Sequence, residues 1–187
     1  MPSVYLSPSL QEFNPYIIGG NEEMYMNLIA DAMVPYLRAN GIEFTRNDPG
    51  MTLSQVIAQS NAGQYDVHLA LHSNAAPEHL AGTLQGPDVY YYTYSGPGQT
   101  LANIIADNLR EIYPNPNLVA VIPNSTLAEL RRTRAVTALV EVAYHDNFDD
   151  ATWIAENIWP IARSLVLSLT EYFGMPFVDL TEQNIPQ

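Results

Sequence analysis

Residues 65–74 read YDVHLALHSN, and the way this stretch must fold decides the architecture. Its centre, residues 67–71, is a short apolar run around His68, and it ends by presenting His72, with Asn74 two residues on. Near-continuous apolar strands of this length are buried on both faces, as in parallel sheets covered by helices. In such folds the carboxyl ends of the strands carry ligands and chemistry. Residues 139–147, LVEVAYHDN, repeat the design: an apolar strand with Glu141 inside it, then His145, Asp146 and Asn147. Two strand ends that offer His and Glu point to metal-assisted hydrolysis more than to a binding module.

The neighbouring segments agree with this reading. Strands are expected at 4–6, 43–46, 89–94 and 138–143, and helices at 22–40, 52–62, 99–113, 126–132 and 150–173. Asn21 is a good N-cap for the first helix, Glu22 and Glu23 suit its positive end, and Gly41 closes it. Met24, Leu28, Ala32 and Leu37 give it an apolar stripe of helical period. Residues 114–123 read as an irregular, proline-punctuated connection. Strand–helix alternation implies a single three-layer α/β domain over residues 1–175, with a mostly parallel twisted sheet of about six strands and helices on both faces. Residues 176–187 form a polar tail, expected to be loosely held.

Composition narrows the function classes. The chain has 187 residues, a formal net charge of −13, no lysine and seven arginines. That balance speaks against nucleic acid as a partner, since phosphate binding needs cations to displace counterions. No apolar run approaches the ~20 residues of a membrane span, so no membrane insertion is expected. Without cysteine, a metal site must use nitrogen and oxygen ligands. The opening residues, MPSVYLSPS, show neither a basic region nor an apolar core of a signal peptide.

Each candidate residue has an ordinary role to set beside a chemical one. His72 sits where an imidazole can bind a metal, although a histidine can also simply end a strand. His68 faces the same side, but four residues of strand put it ~13 Å away, which suits a structural role. Glutamates in a first helical turn need no function. Glu141 is different, because a carboxylate inside an apolar strand is costly unless paired, ligated or catalytic. As a general base on an activated water it would use that position. Asp146 and Asn147 are expected to turn the loop and start the next helix. Arg131, Arg132 and Arg134 form either a solvated helix end or a clamp for a carboxylate or oxyanion.

Five ordered motifs resemble the zinc-dependent N-acetylmuramoyl-L-alanine amidases of the Amidase_3 type. Glu23, Asn27 and Leu28 match the family's Glu with Asn four residues on and Leu after it. Thr45 and Arg46 match its Thr-Arg after the second strand. Residues 69–75 match its histidine segment with His72 and Asn74 in place, residues 86–91 its Gly-x-x-Val-Tyr-Tyr strand, and residues 130–147 the block that contains the glutamate found here as Glu141. The resemblance implies one zinc held by Glu23 and His72, Glu141 as general acid/base, and Asn74 and Arg131 lining the substrate site. It also implies peptidoglycan as the partner, cleaved between N-acetylmuramic acid and L-alanine. A chain without a recognisable signal peptide would reach the wall by lysis or by an unrecognised export route.

One departure bears on the metal. The family's first loop reads D-P-G-H-G-G and supplies a histidine ligand, whereas residues 6–11 here read LSPSLQ, with Leu10 in the ligand register. Three completions stand open: Gln11 through its amide oxygen, His145 from the loop after Glu141, or no zinc at all. The last would leave a catalytically silent module that binds wall muropeptides.

Overall fold

A computed structural model describes residues 1–180; the end of the expected tail, residues 181–187, lies outside the described residues. Six strands form one sheet in the order β2-β1-β3-β6-β4-β5, with β1 Ser3–Pro8, β2 Glu43–Arg46, β3 Val67–Asn74, β4 Asp88–Tyr92, β5 Ala120–Asn124 and β6 Val136–Tyr144. All neighbouring pairs are parallel except β4 against β6, which is antiparallel. The expected three-layer α/β domain is therefore present. β3 runs through His72 to Asn74, beyond the expected end at residue 71.

Alternation along the central strands divides the core. Val67, Leu69 and Leu71 of β3 and Ala138, Val140 and Val142 of β6 enter the main apolar cluster. That side is covered by α1 (Glu22–Ala39), α3 (Gly96–Arg110) and α6 (Ile158–Tyr172). The opposite face carries Ala70, Leu139 and the partly buried Tyr90 and Tyr92, and meets Leu130 of α4 (Ala128–Arg132). There α2 (Leu53–Ala62) reaches the sheet through Gln59 on Tyr5 and Ser60 on His68. His68, His72 and Glu141 share the period-two positions of this second face.

Four expectations are corrected. The connection at 114–123 contains β5, an edge strand, which is where Pro123 can sit without costing a ladder hydrogen bond. The closing helix is two helices, α5 (Phe148–Glu156) and α6, which part at Asn157. The stripe on α1 is rotated in its first half: Ala32 and Leu37 are buried as expected, but Met24 and Leu28 are 40% and 43% exposed, and Met26, Ile29, Ala30 and Met33 are buried in their place. Lastly, the first residues of the tail are tied down, since Asn40 brackets Val178 and Arg163 pairs with Asp179.

Candidate active site

Strand register assembles the site. His72 on β3 lies directly beside Glu141 on β6, and Glu141 lies opposite Asp88 on β4. These three groups thus form one row across the carboxyl end of β3 and β6. The rotation of α1 then decides which glutamate joins them. Glu22 stands one turn before buried Met26 and continues its face, so it is only 1% exposed. Its Oε1 accepts from His72 Nδ1 at 2.9 Å and from the Ser73 backbone N–H at 3.4 Å. The carboxylate beside His72 is therefore Glu22 and not Glu23. Glu23 lies on the partly exposed flank, stacked over Asn27, which is itself held by Arg46.

The loop after β1 brings Gln11 in. Its Nε2 lies 3.3 Å from His72 Nδ1, and Asn14 Nδ2 donates both to Gln11 Oε1 at 2.9 Å and to Glu22 Oε2 at 2.7 Å. His145 takes no part in this arrangement. Its Nδ1 is engaged by the Ser73 hydroxyl and carbonyl, both at 3.0 Å, and its ring stacks on Tyr16. Asn74 is tied to Asp88, 3.2 Å away. Arg131 is exposed at the end of α4 and does not line the pocket over His72. Asp146 and Asn147 do turn the loop: Asp146 holds the backbone N–H of Ala76 and Gly82, and Asn147 caps α5.

Sequence reasoning missed Glu129. It stands in five-residue α4, is 5% exposed, and points onto the second face. Its Oε2 accepts from Ser7 Oγ at 2.6 Å and His68 Nε2 at 2.7 Å, while Oε1 lies 3.3 Å from His72 Nε2. The two histidines that strand geometry keeps apart are thus joined through one carboxylate. No local signal in AELRR marks this, because Glu129 meets His68 across 61 residues of chain.

The electrostatics follow from this crowding. Burial pushes the His72 imidazolium toward losing its proton, but the bonds to Glu129 and Glu22 and the charge of Glu141 raise it well above the usual range. Burial likewise raises Glu22, yet its bond to His72 and the charge there hold it below the usual carboxylate range. Glu141 has no such bond: burial, with Glu22 and Asp88 adding to it against the opposing charge of His72, pushes it up to about 7. Its Oε2 is shielded from solvent and finds no hydrogen-bond partner among the described residues. The pocket above these groups holds about 340 Å³ and is walled by Leu10, Leu53, Val56, Leu127 and Leu139.

Among the described residues no three His, Cys, Asp or Glu side chains gather as a metal-holding group. Catalytic zinc commonly takes three such ligands. His72 Nδ1, Glu22 Oε1 and the Gln11 carboxamide do converge, however, and the amide nitrogen gains no good bond from a ring nitrogen that already donates to Glu22. A half-turn of that amide would present its oxygen instead, at the cost of the bond that Oε1 now accepts from Asn14 Nδ2. These residues fit a divalent cation through one imidazole, one carboxylate and one amide oxygen, with the amide as the weak member.

Comparison with known proteins gives the family and the fold. The profile of the N-acetylmuramoyl-L-alanine amidase family, Amidase_3, matches residues 15–171, which leaves out β1 and the loop with Gln11. A search of curated proteins returned no match. The fold is similar to that of the N-acetylmuramoyl-L-alanine amidase AmiC2 of Nostoc punctiforme, with TM-score 0.80, 17% identity, and 92% of this chain and 97% of that one covered. It is also similar to the catalytic domain of the amidase CwlV from Bacillus (Paenibacillus) polymyxa, with TM-score 0.80, 15% identity, and 94% and 100% covered. The catalytic domain of the CD27L endolysin targeting Clostridia difficile gives TM-score 0.75 at 20% identity, with 91% and 98% covered.

Proposed function

Because the chain belongs to the N-acetylmuramoyl-L-alanine amidase family, we propose that it hydrolyses the amide between N-acetylmuramic acid and L-alanine in peptidoglycan, with zinc held by Glu22, His72 and Gln11. The observation that carries this reading is Glu141: a shielded, unpartnered carboxylate oxygen beside His72, poised to take up or give away a proton near neutrality. The metal role expected of Glu23 passes to Glu22, the carboxylate that reaches His72. When bound, zinc supplies a Lewis acid that polarises an amide carbonyl and acidifies water.

Every other step belongs to the chain. Glu141 takes a proton from the attacking water and delivers it to the departing amine of L-alanine, which a group titrating near 7 can do in both directions. Glu22 and Glu129 hold the His72 ring from its two sides. The apolar walls of the pocket limit water around the reacting amide. The place of action is the cell wall. No helix among the described residues is long and apolar enough to cross a membrane.

The test is the release of new amino termini from purified peptidoglycan. Wild-type protein should release them, and Glu141→Ala should lose about 10²–10⁴-fold in rate. Equal release by both proteins contradicts the assignment. The thin donor set favours one second reading, a silent module that binds muropeptides. Wall binding without release by wild type supports that reading instead.

A further inference from the structure

We propose that Glu129 is the positioning residue of the site: it fixes the ring of His72 so that Nε2 carries a proton and Nδ1 is turned to Glu22 and Gln11. This rests on the reading of His72 as part of a hydrolytic centre. The geometry has three parts. Ser7 and His68 occupy Oε2 of Glu129, which leaves Oε1 for His72. Ser60 Oγ sits 2.8 Å from His68 Nδ1 and steadies the far end of the chain. Glu129 itself is locked in, being buried between α4 and the sheet.

The chemistry then dictates the ring state. An ionised carboxylate only accepts hydrogen bonds, so the nitrogen it faces must donate. The Ser7 hydroxyl donates to Glu129, and both imidazoles turn a ring nitrogen to it, the surroundings of a carboxylate that accepts at both of its oxygens. Nε2 of His72 is accordingly an N–H; Nδ1, which donates to Glu22 in the metal-free site, is the nitrogen that must give up its proton before a cation can take its place. A buried carboxylate is costly unless several donors meet it, and here three do. Carboxylates that fix a ligating histidine in this way commonly raise metal affinity about 10–100-fold.

The experiment reads the ring directly. In metal-free protein, the His72 Nε2–H should give a downfield proton resonance protected from exchange with water, whether or not zinc binds or amide is cleaved. Glu129→Gln should shift that resonance upfield and remove its protection, and should weaken zinc binding about 10–100-fold. Ser60→Ala, which loosens the network but keeps the carboxylate, should leave the resonance in place; a merely structural network would be disturbed by both. If Glu129→Gln does not fold, Glu129→Asp decides. Its carboxylate is withdrawn by one methylene, so it should lose the longer contact to His72 before the one to His68. An unaltered His72 Nε2–H in the variant that folds overturns the proposal. Failure of wild type to bind zinc or release wall amine would sink the functional reading but leave this resonance to decide the role of Glu129.

Discussion

Replacing Glu22 by glutamine tests the rotation of α1 and the composition of the site together. The wild-type carboxylate accepts from His72 Nδ1 at 2.9 Å and from Asn14 Nδ2 at 2.7 Å while almost fully buried. A glutamine keeps one acceptor and sets an NH₂ against whichever donor remains. One charge-assisted bond is lost, and one buried donor is left facing another. Such bonds contribute about 1.5–3 kcal/mol, and an unmet buried group adds to that, so Glu22→Gln should cost about 2–4 kcal/mol. For a chain of this length that lowers Tm by roughly 5–15 °C. Glu23→Gln, on the partly exposed flank, removes only a favourable charge in the first turn and should cost about 0.3–1 kcal/mol. Urea unfolding of the metal-free proteins at about pH 7, where Glu22 is ionised, measures both. Equal losses, or a larger loss at Glu23, would refute the rotation.

Two further outcomes are expected. Glu141 has a folded pKa of about 7 against an unfolded 4.5, so its contribution to stability is complete below 4.5 and is lost as pH rises through 7. Metal-free Glu141→Gln should therefore be more stable than wild type by about 3 kcal/mol at alkaline pH and no more stable near pH 4, as read by denaturation across the range. Glu22 and Glu129, both lowered, act in the opposite sense and lose their contribution on acidification below 4.5. Separately, Asp150 accepts from the backbone N–H of Gly86 and of Tyr144 and from the Tyr113 hydroxyl, so Asp150→Ala should leave these donors without their acceptor and cost about 3–5 kcal/mol in the same assay.

The parts of this protein that were legible in its sequence are those with a local signature. The apolar runs of β3 and β6 announce buried parallel strands, and Glu141 stands out because nothing local offsets its charge. The phase of α1 was not legible. Met24 and Leu28 fit a helical period as well as Met26, Ile29 and Met33 do, and only packing on the sheet chooses between them. Glu23 came instead from the motif match with Asn27 and Leu28, whereas the packing of α1 brings the preceding glutamate, Glu22, to His72. β5 was hidden by Pro123, which reads as a breaker until the strand is known to lie at an edge. Glu129 was invisible for another reason: its partners Ser7, His68 and His72 come from strands 57 or more residues away, and a glutamate before Leu-Arg-Arg looks like a solvated helix.

Zinc-soaked crystals measured at the zinc absorption edge test the central claim most directly, that the family's metal site persists here with Gln11 in place of its first histidine. The account predicts one anomalous peak per chain, contacted by Glu22, His72 and Gln11, and its loss in Glu22→Gln. No peak at His72, or a peak that survives in Glu22→Gln, would contradict it.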